Sequence, residues 1–293
     1  MGRTRPRLPV DEIPIDRETL TRILALAPGE MILVGGQALA FWMIRFGLGP
    51  KPGRAAPLPA AVSSDADFLG SIEHALALTH GLGARLIEPD KNAMTALVGQ
   101  IRIKAASGLE YNVDVLHQIF DSGGLRKSIE FTRRVRKRAA QVQMEGGKTV
   151  RILHPVDVLA SRIQNAAGLL DVKGPHVLTQ TRWAVRVARH ALEQLVQSRE
   201  QHADRPGALA SELFRLACSP AGRLVWARHQ IEIAAAIPFA MLIDRLPGFA
   251  KQSDAMIDAL RRDGRSVRVG GLVRRGAARE RAGRAFKGGA RIN

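Results

Sequence analysis

The chain has 293 residues, 46% of them hydrophobic and 24% charged, with a formal net charge of +17. That apolar fraction supports a buried core and excludes a disordered chain, while a single cysteine, Cys218, excludes a disulfide or cysteine-zinc scaffold and fits a reducing compartment. The apolar stretch 231–243 is interrupted by Glu232 and Pro238, and acids at 11, 12, 16 and 18 stand where a signal peptide needs an apolar run, so a soluble cytoplasmic protein with no membrane partner is expected.

Prolines at 6, 9 and 14 make residues 1–15 irregular. Asp16 predicts an N-cap, Leu20, Ile23, Leu24 and Leu26 follow at helical spacing, and Pro28-Gly29 ends the helix. Met31 to Val34 is a short apolar strand, Gly35-Gly36 breaks it, and Gln37 to Phe46 is helical. Four prolines and three glycines mark 47–61 as an extended loop. Val62 to Leu69 reads as a strand and Ser71 to Gly81 as a helix. Strands are then expected over 84–87, 94–104 and 109–116, a helix over 124–138 and a hairpin over 140–153. From Pro155 the pattern is helical: 155–170, 177–201, 207–217, 221–245 bent near Pro238, and 252–262. The expected class is α+β, with a mixed-sheet part over 1–154, a helical part over 155–262 and a mostly disordered basic tail over 263–293.

Charge is uneven. Residues 261–293 hold eleven Arg and Lys against two acids, a net of +9, which leaves +8 for the other 260 residues. The tail is either a solubilising extension or an electrostatic arm for nucleic acid. A second basic run, Arg133, Arg134, Arg136, Lys137 and Arg138, is dense enough to be read as a phosphate-contacting edge rather than an ordinary solvated face.

Three aspartates stand out against this excess. In a strand, Asp65 and Asp67 share one face while Ala66 and Phe68 share the other. Two adjacent carboxylates are costly without a cation, and oxygen donors suit Mg²⁺ or Mn²⁺ better than zinc. Asp114 is the lone charge in the alternating strand Tyr111 to Leu116, and such a group needs a partner or an ion. Gly35-Gly36, between a strand and a helix, permits close backbone approach, and the helix start offers N–H groups to a phosphate. His117, His154, His176 and His190 fit no metal spacing. Cys218 lies in an apolar helix, and Trp42, Trp183 and Trp226 read as core.

The order strand-Gly-Gly-helix, Asp-x-Asp on a strand and a lone Asp on a later strand resembles the nucleotidyltransferase superfamily, with its polymerase β-like fold. The stretches VGGQALAF, SSDADFLG and HPVDVLASRIQNAAGL look most like the AbiEii/AbiGii-type toxins of bacterial toxin–antitoxin systems. The resemblance covers roughly 30–175. It implies that Asp65, Asp67 and Asp114 hold divalent metal and carry catalysis, with Gly35, Gly36 and Ser64 near the triphosphate of an NTP. Arg162 and Lys173 occupy the region from which the toxin group supplies a phosphate-binding lysine. Two features depart from the pattern. Twenty-eight residues separate Gly36 from Asp65, and the Lys-Asp pair of the toxins is missing, since Lys173 precedes Gly174.

The implied activity is transfer of a nucleotidyl group to an RNA (such as tRNA) or to a protein hydroxyl, with a cognate antitoxin as a further partner. The alternative is a catalytically inactive module of the same fold that binds nucleic acid or an antitoxin. A small-molecule-modifying transferase is a third reading.

Overall fold

Helix α1 (Arg17–Leu26) begins where Asp16 caps it, its carboxylate accepting from the Thr19 N–H at 2.7 Å. The computed structural model describes residues 15–48 and 65–265, apart from 91, 93, 106–107, 145, 199–204 and 247. The expectations for 1–14, for the loop through 49–61, for Ser64 and for the tail beyond Arg265 lie outside the described residues.

The fold is α+β. Strand β1 (Ile32–Leu33) leads into α2 (Gly35–Arg45), β2 (Asp65–Leu69) and α3 (Ile72–Leu82). Then come β3 (Arg85–Ile87), β4 (Leu97–Lys104), β5 (Glu110–Leu116), α4 (Leu125–Arg138), and the hairpin β6 (Ala140–Gln143) and β7 (Thr149–Ile152). These strands form one mixed sheet in the order β3-β4-β5-β2-β1-β7-β6, in which β2/β5 and β1/β7 are parallel. Helices complete the chain: α5 (Pro155–Gly168), α6 (Leu170–Lys173), α7 (His176–Gln197), α8 (Pro206–Cys218), α9 (Pro220–His229), a 3-10 turn (Ile233–Ala236), α10 (Phe239–Arg245) and α11 (Phe249–Arg262).

Alternation decides which face of the sheet is buried. Ala66, Phe68, Ile101, Ile103, Tyr111, Val113 and Val115 face the core, and α3 packs over β3 and β4 on that side. The apolar core is continuous, joining Phe68 and Val113 of the sheet to Leu159, Val187 and Leu213 of the helices. Trp42 ties α2 to the start of α5, donating its Nε1–H to the Leu153 carbonyl at 2.8 Å. No helix among the described residues is long and apolar enough to cross a membrane.

Three expectations change. Gly35 and Gly36 form the first turn of α2 rather than a break before it. The single bent helix over 221–245 is instead three pieces. Gln230 takes a left-handed conformation (φ 53°), Glu232 caps the 3-10 turn at Ala234, and Pro238 has no N–H to continue a helix. The basic run is not one uniform edge. It lies on α4, and two of its five residues reach Asp157, which is wholly buried on α5. Arg138 donates to Asp157 (Nη2 to Oδ1, 2.7 Å) and to Glu212 of α8 (Nη1 to Oε2, 2.6 Å), and Arg134 lies 2.9 Å from Asp157. Burial alone would lower the Arg138 pKa, but Glu212 and Asp157 more than reverse this and hold it above its ordinary value. Arg133, Arg136 and Lys137 are exposed, and so is Arg134, with 44% of its side chain accessible.

Removing one partner of a buried ion pair strands the other charge. Arg138→Ala leaves the wholly buried Asp157 with only the exposed Arg134, and is therefore expected to cost about 3–5 kcal/mol, read as a lower urea midpoint. An unchanged midpoint would show that α4 and α5 hold together without the pair.

Candidate active site

The site starts from a register. Strands β2 and β5 lie side by side and parallel, with Asp67 opposite Asp114 and Asp65 opposite Asn112. All four side chains point away from the core, because their neighbours Ala66, Phe68, Val113 and Val115 are fully buried on the other face. The two acids brought next to each other are thus Asp67 and Asp114, both half-buried, with Asp65 one pleat repeat further back along β2.

Helix α2 closes one side. The Val34 N–H donates to the Asp67 carbonyl at 2.8 Å, which places the start of α2 beside the acid. Gly35 has φ +66°, and a Cβ there would fall 1.8 Å from Asp67 Oδ2. Glycine is required twice at this position, for its backbone angle and for the space that the carboxylate fills. The N-cap residue of α2 is Val34, whose side chain offers no acceptor to the first turn.

The helical part supplies the cations. Arg162 of α5 is buried; its Nη1–H donates to Gln180 Oε1 at 2.7 Å, while its Nε–H has no partner. Lys173 is exposed at the end of α6. Both act on Asp67. Burial pushes the Asp67 carboxyl above its usual range, Lys173 pulls it down, Asp114 pushes it up further and Arg162 pulls it down, and the net is upward. Burial lowers the Arg162 pKa, and the charge of Asp67 offsets part of that. An acid held above its normal range beside a second acid is a poised arrangement of the kind found at functional sites.

Some residues of the site have no signature in sequence. Gln100 on β4 stands opposite Asp114 and donates from Nε2 to its Oδ1 at 2.9 Å. Its place on the polar side of an alternating strand is the only signal that could have found it. Gln180, which orients Arg162, had none. Of the predicted nucleotide-binding residues, Gly35, Arg162 and Lys173 come together around Asp67, and Gly36 follows Gly35 in the first turn of α2. Ser64 lies outside the described residues. Arg133, Arg134, Arg136, Lys137 and Arg138 are on α4 and belong to no part of this cluster. Burial pushes the Cys218 thiol up, the opposite of an activated nucleophile.

Among the described residues, no group of three His, Cys, Asp or Glu is close enough to hold a metal ion. Mg²⁺, however, is commonly bound through one or two carboxylates, with water and substrate phosphate completing its shell. The adjacent pair Asp67 and Asp114 is a donor set of that kind. No protein-family model and no curated protein matches the chain.

Two outcomes are expected. The folded chain holds the Asp67 proton more tightly than the unfolded chain does. Stability is therefore recovered as pH falls through the raised pKa, and the penalty is present at neutral pH. Asp67→Asn should raise the thermal midpoint at neutral pH, where about 1 kcal/mol reads as roughly 2–4 °C in a chain of this size; a lower midpoint would make Asp67 a structural partner of Arg162. Gly35→Ala should lose at least about 1–3 kcal/mol in denaturant titration, from a strained φ and the clash with Asp67.

Proposed function

We propose that the chain is a metal-dependent nucleotidyltransferase, moving a nucleotidyl group from an NTP to the hydroxyl of an RNA or protein and serving as the toxin of a toxin–antitoxin pair. The observation that carries this reading is the Asp67–Asp114 register pair, set against Gly35 at an uncapped helix start and flanked by Arg162 and Lys173. Asp67 and Asp114 would hold Mg²⁺ or Mn²⁺, which when bound supplies charge neutralisation for phosphate oxygens, and Asp65, one pleat repeat back on the same face, would add to the negative field that attracts the cation.

The chain's own residues have separate roles. Gly35 lets the Asp67 carboxylate close against the start of α2, whose backbone N–H groups can meet phosphate. Lys173 is exposed and long enough to follow the phosphates. Arg162 is buried and fixed by Gln180, and it offsets negative charge from a set position. Gln100 occupies Oδ1 of Asp114, which directs Oδ2 to the proton of the acceptor hydroxyl. The acceptor oxygen then bonds to the α-phosphorus as the bond to pyrophosphate breaks, and the proton passes to Asp114.

One observation favours a second reading. Because the described acids form a pair and not a group of three, the same fold could serve as a non-catalytic module that binds nucleic acid or an antitoxin. Labelled NTPs, Mg²⁺ and bulk tRNA or candidate proteins separate the two. Transfer by the wild type should fall by more than about 100-fold in both Asp67→Asn and Asp114→Asn. Undiminished transfer in either variant contradicts the assigned roles, and no transfer by the wild type leaves the binding module.

A further inference from the structure

The acids do not end the polar face of the sheet; they sit at one side of it. Two rows of side chains run across β3, β4, β5 and β2. The first is Ile87, Gln100, Asp114 and Asp67. The second is Arg85, Arg102, Asn112 and Asp65. Arg85 and Arg102 are thus direct cross-strand partners, and both are exposed. Lys104 lies one pleat repeat beyond Arg102 on the same face, opposite Glu110. Among the described residues, no side-chain hydrogen bond or ion pair involves Arg85, Arg102 or Lys104.

Like charges directly opposite on neighbouring strands are destabilising. Among the described residues no ion pair or hydrogen bond repays this pair, and α3 packs on the other face of β3 and β4, where Ile101 and Ile103 are buried. At the usual strand spacing of about 4.8 Å, Arg102 lies about 10 Å from Asp65 and Arg85 about 15 Å, measured across the sheet. The uncompensated cations therefore form a straight track that leads to the acids.

We infer that this open face holds the phosphodiester backbone of a nucleic-acid acceptor and delivers its terminal hydroxyl to Asp114. The inference rests on the transferase reading for its direction, and it favours a nucleic-acid acceptor over a protein one. Two guanidinium forks suit successive phosphates, which Arg grips in bidentate fashion. The face carries no aromatic residue in these rows, since Tyr111 points into the core. Bases meet no aromatic ring in these rows, so the track follows the backbone and tolerates sequence.

The test uses the full chain and a fluorescent single-stranded RNA, with binding measured over a range of salt and no NTP present. Arg85→Gln/Arg102→Gln removes two exposed cations and a repulsive pair, so folding should be intact, which a thermal melt verifies. The slope of log K against log salt should become shallower by about 1.4, from about 0.7 per phosphate contact on a single strand. The matching DNA strand should show the same change, because phosphates carry it. In transfer assays the KM for RNA should rise while that for NTP stays constant.

Arg133→Gln/Arg136→Gln on α4 is the control. If that variant alone flattens the slope, or if Arg85→Gln/Arg102→Gln leaves it unchanged, the track is overturned. Loss of protein labelling with RNA binding intact would likewise assign the face to a protein acceptor and overturn it. Binding needs no chemistry, so a wild type that binds RNA through this face but transfers nothing keeps the track and defeats the enzyme.

Discussion

The parallel pairing of β2 with β5 is the constraint on which the site depends. Side chains in a strand alternate, so a slip of one residue would send Asp67 into the core and Phe68 to the surface. Burial of Ala66, Phe68, Val113 and Val115 makes that slip prohibitively costly, and their register fixes Asp67 beside Asp114. The hydrophobic effect thus places two like charges next to each other, an arrangement electrostatics alone would reject. Lys173 pulls the Asp67 carboxyl down more than Asp114 pushes it up, and Arg162 adds to that pull, so it is burial that still holds the group above its usual range. The residual strain is what a bound cation would remove.

The helices hold this balance in place. Arg162 lies on α5, the same helix that carries Asp157. Asp157 is clamped from α4 by Arg134 and Arg138, and Arg138 reaches on to Glu212 of α8. An ion network centred on the buried Asp157 therefore fixes the helix whose next cation, about one and a half turns on, acts on Asp67. Gln180 then limits how Arg162 can turn, and Trp42 ties α2 to the entry of α5. The glycine side and the arginine side of the site are in this way linked through one helix.

Local rules made much of this legible. The Asp16 cap, the helix after Pro155, the hairpin over 140–153 and the shared face of Asp65 and Asp67 all follow from turn chemistry and from periods of 2 and 3.6. What escaped was decided between distant segments. Nothing local to Arg138 says that it faces Asp157, and nothing local to Gln230 says that it will take a left-handed turn and divide the following helix. Arg85 and Arg102 are seventeen positions apart in sequence, and only the β3–β4 register makes them neighbours. The basic run at 133–138 drew attention because its charges adjoin in sequence, while charges that adjoin in space were scattered.

That contrast sorts the arginines by partner and not by density. Arg134 and Arg138 have carboxylates within reach, so their charge serves the fold. Arg162 is buried with one N–H unpartnered, and its charge is directed at Asp67. Arg85 and Arg102 are exposed, opposed to each other and matched by no acid among the described residues. A guanidinium in the first setting stabilises, and in the second it tunes an acid. In the third it costs stability unless an anion arrives, so among the described residues it is opposition in space, rather than density in sequence, that marks the cations a polyanion would relieve.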